Sequence, residues 1–136
     1  MFSAFDVSTS GLAAQRMRLN AISSNLANMS TTRNERGESA PYVPRFVTFQ
    51  TDTTVQTSGG GVGVKIGSVE QAAVAPRLKY EPGHPDANAD GYVAYPNIDM
   101  TLEFVDALEA TRAYEANLGV LEITKDMGQR TLQIIA

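Results

Sequence analysis

The sequence predicts an α+β subunit in which long N- and C-terminal helices form a coiled-coil-like pair around a small β-rich middle domain, elongated rather than spherical. Three observations carry this. All six prolines fall between Pro41 and Pro96. Eight of the eleven glycines fall between Gly37 and Gly91. Both terminal segments repeat their apolar residues at helical spacing, where proline and glycine would break a helix. The predicted divisions are an N-terminal helix domain over 1–30, a β-rich middle with extended loops over 31–96, and a C-terminal helix domain over 97–136.

In the first segment Phe5, Leu12, Leu19 and Leu26 recur every seven residues, with Ile22 and Met29 as a second row. They share one helical stripe. Ser8-Thr9-Ser10-Gly11 is a poor helix interior, so the helix is expected to start weakly and strengthen after Leu12. It should end near Asn28, where Asn25 and Asn28 are candidate caps.

The last segment opens at Pro96-Asn97, where Asn97 or Asp99 can accept the free amides of a helix start. From there a stripe runs Met100, Phe104, Ala107, Thr111, Tyr114, Leu118, Leu121, Lys125, Gly128, Leu132, Ile135. Val120, Ile123, Met127 and Ile134 make a second apolar face. A helix from Asp99 to Ile135 would be about 55 Å long, against roughly 37 Å for the diameter of a compact chain of this size. Unless it breaks at Gly119 or Gly128, it overhangs its own globule and its stripe needs partners. On that reasoning the terminal helices are expected to be largely disordered in the free monomer and to order on assembly.

The middle alternates like short strands at Tyr42–Phe49, Val62–Ile66, Arg77–Tyr80 and Gly91–Tyr95, with Val69–Ala75 able to extend or follow the second. Pro44 confines the first to an edge or a bulge. These predict one small sheet, marginal alone, with Gly59-Gly60-Gly61 as a flexible connector.

Composition excludes several functions. The net charge is −4 and the pI near 4.9, the wrong sign for displacing counterions from nucleic-acid phosphates. With no cysteine and one histidine, disulfide scaffolds, thiolate zinc sites and cysteine nucleophiles are out. The first fifteen residues hold no Lys or Arg and no long apolar run, so no cleaved leader is expected. No stretch has the roughly 18 apolar residues of a membrane span.

Motifs that could carry chemistry are weak. Asp86-Ala87-Asn88-Ala89-Asp90-Gly91 matches half of a calcium loop, but the twelfth position is Asn97 and prolines replace the entering helix. A turn is the better reading, with a small calcium module as the alternative. His84 beside Asp86 reads as a turn residue bonding to backbone, not as half of a dyad. The glycine run fits neither the dinucleotide nor the P-loop pattern. Glu109 with Arg112, and Glu122 with Lys125, read as solvated helix pairs. Segment 1–30 carries +1 and segment 97–136 carries −4, which favours pairing of the two helices. Ala110, Ala113, Ala116 and Gly119 could let a neighbouring helix come close. No catalytic, cofactor-binding or metal-binding residue is assigned.

Several strings resemble a known family. Ser10-Gly11-Leu12-Ala13-Ala14-Gln15, Arg18-Leu19-Asn20 and Ser24-Asn25-Leu26-Ala27-Asn28 resemble the N-terminal signature of bacterial flagellar axial proteins. Pro96-Asn97-Ile98-Asp99 and Ala110-Thr111-Arg112-Ala113-Tyr114-Glu115-Ala116-Asn117 resemble the C-terminal signature of its rod and hook subunits. The string Tyr80–Ala87 with Asp90-Gly91-Tyr92-Val93 resembles the short proximal-rod members, the other short rod protein FlgB being the nearest alternative.

The resemblance implies a non-enzymatic subunit of the basal-body rod in the periplasmic space, needed for motility. It would self-associate and meet the rod proteins FlgB, FlgF and FlgG, the protein FliE and the membrane-ring protein FliF. Export would run through the flagellar type III apparatus. Packing between subunits is expected from Phe5, Leu12, Leu19, Ile22, Leu26, Met100, Phe104, Tyr114, Leu118, Leu121, Leu132 and Ile135. Asn25, Asn28, Arg112 and Asn117 are the candidate polar contacts.

Overall fold

A computed structural model describes residues 2–135. The first helix, α1, spans Phe2–Ala27 without a break. The Ser8–Gly11 stretch does not weaken it as expected, because tertiary contacts compensate poor propensity. Ser8 is buried, and the Ser10 hydroxyl donates to the Val7 carbonyl at 2.6 Å while accepting the Val64 amide at 3.0 Å. Asn28 caps the end: its amide and its side-chain Nδ2 both donate to the Ser24 carbonyl, at 3.1 and 2.9 Å.

The last helix, α2, spans Met100–Ile135 and continues straight through Gly119 and Gly128. Asp99 Oδ1 accepts the amides of Thr101 at 2.8 Å and Leu102 at 3.3 Å, which starts it. The two helices run antiparallel. Gly11 meets Asn117, Arg18 meets Glu109, and Asn25 meets Glu103. At that register α1 runs out near Asp126 of α2, so the segment Met127–Ile135 projects beyond it by about 13 Å.

Seam and stripe differ. On α1 the most buried positions are Ser8, Gly11, Ala14, Ile22 and Asn25, while Leu12, Leu19 and Leu26 sit half-buried on its flank. On α2 the covered positions are Glu103, Ala107, Ala110, Ala113, Tyr114, Asn117, Gly119, Leu121, Thr124 and Gly128. Of the eleven residues of the predicted stripe only Ala107, Tyr114, Leu121 and Gly128 are among them. Small residues, Ser8, Gly11 and Ala14 on α1 and Ala110 on α2, let the two backbones come close, with Ile22 and Asn25 as the larger buried members of the seam and Leu12, Leu19 and Leu26 at its edge. The expectation that the helices lack partners within the chain therefore fails over the length of α1; among the described residues the end of α2 is exposed.

Between the helices the strands form two separate hairpins, not one sheet. Strand β1 (Arg45–Gln56) pairs antiparallel with β2 (Val62–Gln71), from Arg45 opposite Gln71 to Gln56 opposite Val62, with irregularities after Thr48 and after Asp52. Both strands outrun their predicted lengths. Their loop is a closed turn and not a flexible connector, with Thr57 N–H on the Gly61 carbonyl and Gly61 N–H on Thr57 Oγ1, both at 2.8 Å. Pro44 precedes β1, where its missing amide costs no ladder bond, and its carbonyl accepts the Ala72 amide at 2.7 Å.

Strand β3 (Arg77–Tyr80) pairs with β4 (Tyr92–Tyr95). The β1–β2 hairpin lies along α1, whereas β3–β4 packs against no other helix or strand among the described residues. Asp86 instead anchors its loop, accepting from Thr32 Oγ1 and Arg33 Nε at 2.8 Å each. One sheet does not form because the chain from Ala72 to Pro76 leaves the first hairpin before the second begins.

Candidate assembly interface

The antiparallel seam leaves much of α2 uncovered. Of the residues expected to pack between subunits, Tyr114 and Leu121 turn toward the seam, while Met100, Phe104 and Leu118 are exposed. Leu132 and Ile135, in the projecting segment, are 68% and 78% exposed. Leu102, Val105, Leu108, Ile123, Met127 and Ile134 join them. An apolar surface of this extent on one helix marks an interaction site. On α1, Ile22 is buried, and Phe5, Leu12, Leu19 and Leu26 are half-covered.

The four polar candidates divide. Asn25 is 3% exposed, and each end of its amide makes two bonds. Its Oδ1 accepts from the Arg45 amide at 2.9 Å and the Tyr42 hydroxyl at 3.1 Å. Its Nδ2 donates to the Arg45 carbonyl at 2.8 Å and to Glu103 Oε1 at 3.2 Å. Asn28 serves the α1 cap. Asn117 Nδ2 donates to the Ala113 carbonyl at 2.9 Å, and its side chain fills the space opposite Gly11. Arg112 is exposed beside Val105 and Leu108, with no ion pair among the described residues. The Glu109–Arg112 pair expected from spacing does not form. Glu109 reaches across to Arg18 at 3.1 Å, a cation that also meets Asp106 at 3.5 Å.

A cleft of about 290 Å³ opens where α1, α2 and β1 meet, lined by Arg18, Ile22, Asn25, Phe46, Phe49, Glu103 and neighbours. Burial pushes the Glu103 carboxyl above its ordinary value and the charge of Asp106 adds to this, while the Asn25 hydrogen bond opposes it. In the loop that resembles half a calcium site, the oxygens of Asp86 and Asn88 are already engaged within the chain. Asn88 Oδ1 accepts the amides of Asp90 and Tyr92, and Asp86 is held by the Thr32 hydroxyl, whose hydrogen bond together with the Arg33 charge keeps its carboxyl below the usual range. His84 Nδ1 accepts the Asp86 amide at 3.0 Å, a turn contact. Among the described residues no group of three His, Asp or Glu side chains could hold a metal ion, and no helix is long and apolar enough to cross a membrane.

Apolar periodicity did not reveal the part played by Ser10, Gly11, Gly63 and Arg18. A signal was present in the small residues Ser8, Gly11 and Ala14 at three-residue spacing, which marks a close-approach face better than leucine does.

The family model described as "Flagella basal body rod protein" matches residues 5–33. That described as "Flagellar basal body rod FlgEFG protein C-terminal" matches residues 89–134. The chain is 41% identical to the flagellar basal-body rod protein FlgC of Bacillus subtilis, over 98% of this chain and 97% of the relative. It is 42% identical to the FlgC of Salmonella typhimurium, over 96% and 94% of the two chains. With the FlgC of Borreliella burgdorferi the figure is 36%, over 99% and 97%.

Proposed function

The chain belongs to the FlgC family of flagellar basal-body rod proteins, which are structural and not enzymatic, and from that premise we propose that it builds the proximal rod and carries torque through it. The observation that carries this reading is the apolar surface of α2 left outside the intramolecular seam, extended by the projecting segment Met127–Ile135. Neighbouring subunits would cover it, with Met100, Phe104, Leu118, Leu132 and Ile135 as the main contacts and Arg112 as the polar one. Interfaces packed at the density of a protein interior compress little, so rotation applied at one end passes along the rod. The helix domains 1–30 and 97–136 would form the inner tube and 31–96 the outer layer. The partners are further copies, FlgB, FlgF, FlgG, FliE and the ring protein FliF, reached through the type III export apparatus into the periplasmic part of the basal body.

Electron microscopy of basal bodies from a strain lacking only this protein tests the proposal. The membrane ring should form with no rod, hook or filament beyond it. Intact rods and hooks in that strain would overturn it.

A further inference from the structure

The geometry points to Asn25 as a positioning residue that sets the angle between the helix pair and the β1–β2 hairpin. One side chain there bonds to three separate parts of the chain: Tyr42 in the connecting loop, both backbone groups of Arg45 at the first position of β1, and Glu103 in the first turn of α2. Every hydrogen-bonding group of the amide is used, and the side chain itself is buried, where an unmatched one is costly. Among the described residues no other asparagine bridges α1, a strand and α2 in this way.

One contact alone would let the hairpin pivot. A second lies fifteen residues earlier on the same helix, roughly 22 Å away, where Ser10 Oγ accepts the Val64 amide at 3.0 Å. Gly63 makes room for it, since a Cβ there would stand 3.1 Å from Ser10 Oγ and 2.9 Å from Val55 Cβ. Ser10 holds the middle of the hairpin and Asn25 its root. Two points fix a direction, so α1, α2 and the β1–β2 hairpin move as one body. Resting on the rod reading above, this means that an incoming subunit presents its helical and its hairpin surfaces in one set orientation, and Asn25 is the residue that enforces it.

The test uses Asn25→Ala, Asn25→Asp and the exchanged pair Asn25→Asp with Glu103→Gln. Asn25→Asp sets a carboxylate oxygen against Glu103 and the Arg45 carbonyl. Glu103→Gln restores a donor between the helices. In the purified chain, Asn25→Ala should keep its helical circular dichroism while the amide of Arg45 exchanges roughly tenfold faster, the change expected when a bond worth about one hydrogen bond is lost. Incorporation into basal bodies should fall by a similar factor and, for Asn25→Asp, recover when Glu103→Gln is added. Unchanged exchange at Arg45 in Asn25→Ala overturns the inference. So does an Asn25→Asp defect that Glu103→Gln leaves untouched, which remains decisive should the alanine variant fail to fold. Exchange in the purified chain does not depend on the rod, so normal rods in a strain without the protein would refute the rod reading and leave this one standing.

Discussion

Gly11 shows how a single missing side chain decides the packing of two helices. A Cβ at that position would stand 2.9 Å from Asn117 Oδ1, in the middle of the seam, so either the Asn117 amide turns away and gives up its bond to the Ala113 carbonyl or the helices part at the expense of the Arg18 and Asn25 contacts on the same face. Gly11→Ala should therefore destabilise the chain by about 1–3 kcal/mol despite alanine's better helix propensity, as read from urea unfolding. Glu103 shows the same coupling through charge. Its carboxyl is raised by burial, so the folded state holds the proton more tightly than the unfolded one. The stability tied to that proton is present below the unfolded value of about 4.5 and is lost as pH rises through the raised folded value. Glu103→Gln keeps an oxygen for Asn25 and removes the charge. The variant should match the parent at pH 4 and exceed it at pH 7, in urea unfolding at both; equal stability at both would refute the assignment.

At the scale of the element, α2 is two things joined end to end. Up to Asp126 it is a partner for α1; from Met127 onward, Gly128 aside, it is exposed and lies against nothing among the described residues. Its propensity and periodicity do not change at that point, because neither depends on what the helix packs on. A chain ending at Asp126 should keep its thermal midpoint within about 2–3 °C, since the removed side chains are already in water. It should fail to enter rods, scored by its absence from isolated basal bodies. A large fall in midpoint would show that the projecting segment folds back. The β1–β2 hairpin gains its length in the same way, by lying along α1 rather than by local preference.

The whole molecule divides by attachment rather than by sequence segment. The helices and the first hairpin share the Ser10, Arg18 and Asn25 contacts, whereas β3–β4 hangs on Asp86 and its two partners in the loop before β1. Hydrogen exchange should follow that division. Amides of α1 and of α2 as far as Leu121 should open together and last, while those of β3–β4 and of Met127–Ile135 exchange earlier. Uniform protection across both hairpins would show the second to be part of the same body.

What the chain is made of determined its elements: proline and glycine kept to the middle leave two long helices at the ends, and β-branched and aromatic alternation places four strands. The short strings around Asn25 and Arg112 pointed to the family. Packing was decided elsewhere. Periodicity finds a helix's apolar face, yet close approach is governed by size, so the seam fell on Ser8, Gly11, Ala14 and Ala110 with Ile22, Tyr114 and Leu121, and left Leu12, Leu19, Leu26, Phe104 and Leu118 at its edge or outside it. Asn25 looked like a cap because its local spacing is that of one. Only the meeting of α1, β1 and α2, far apart in the chain, makes it the point where all three are joined.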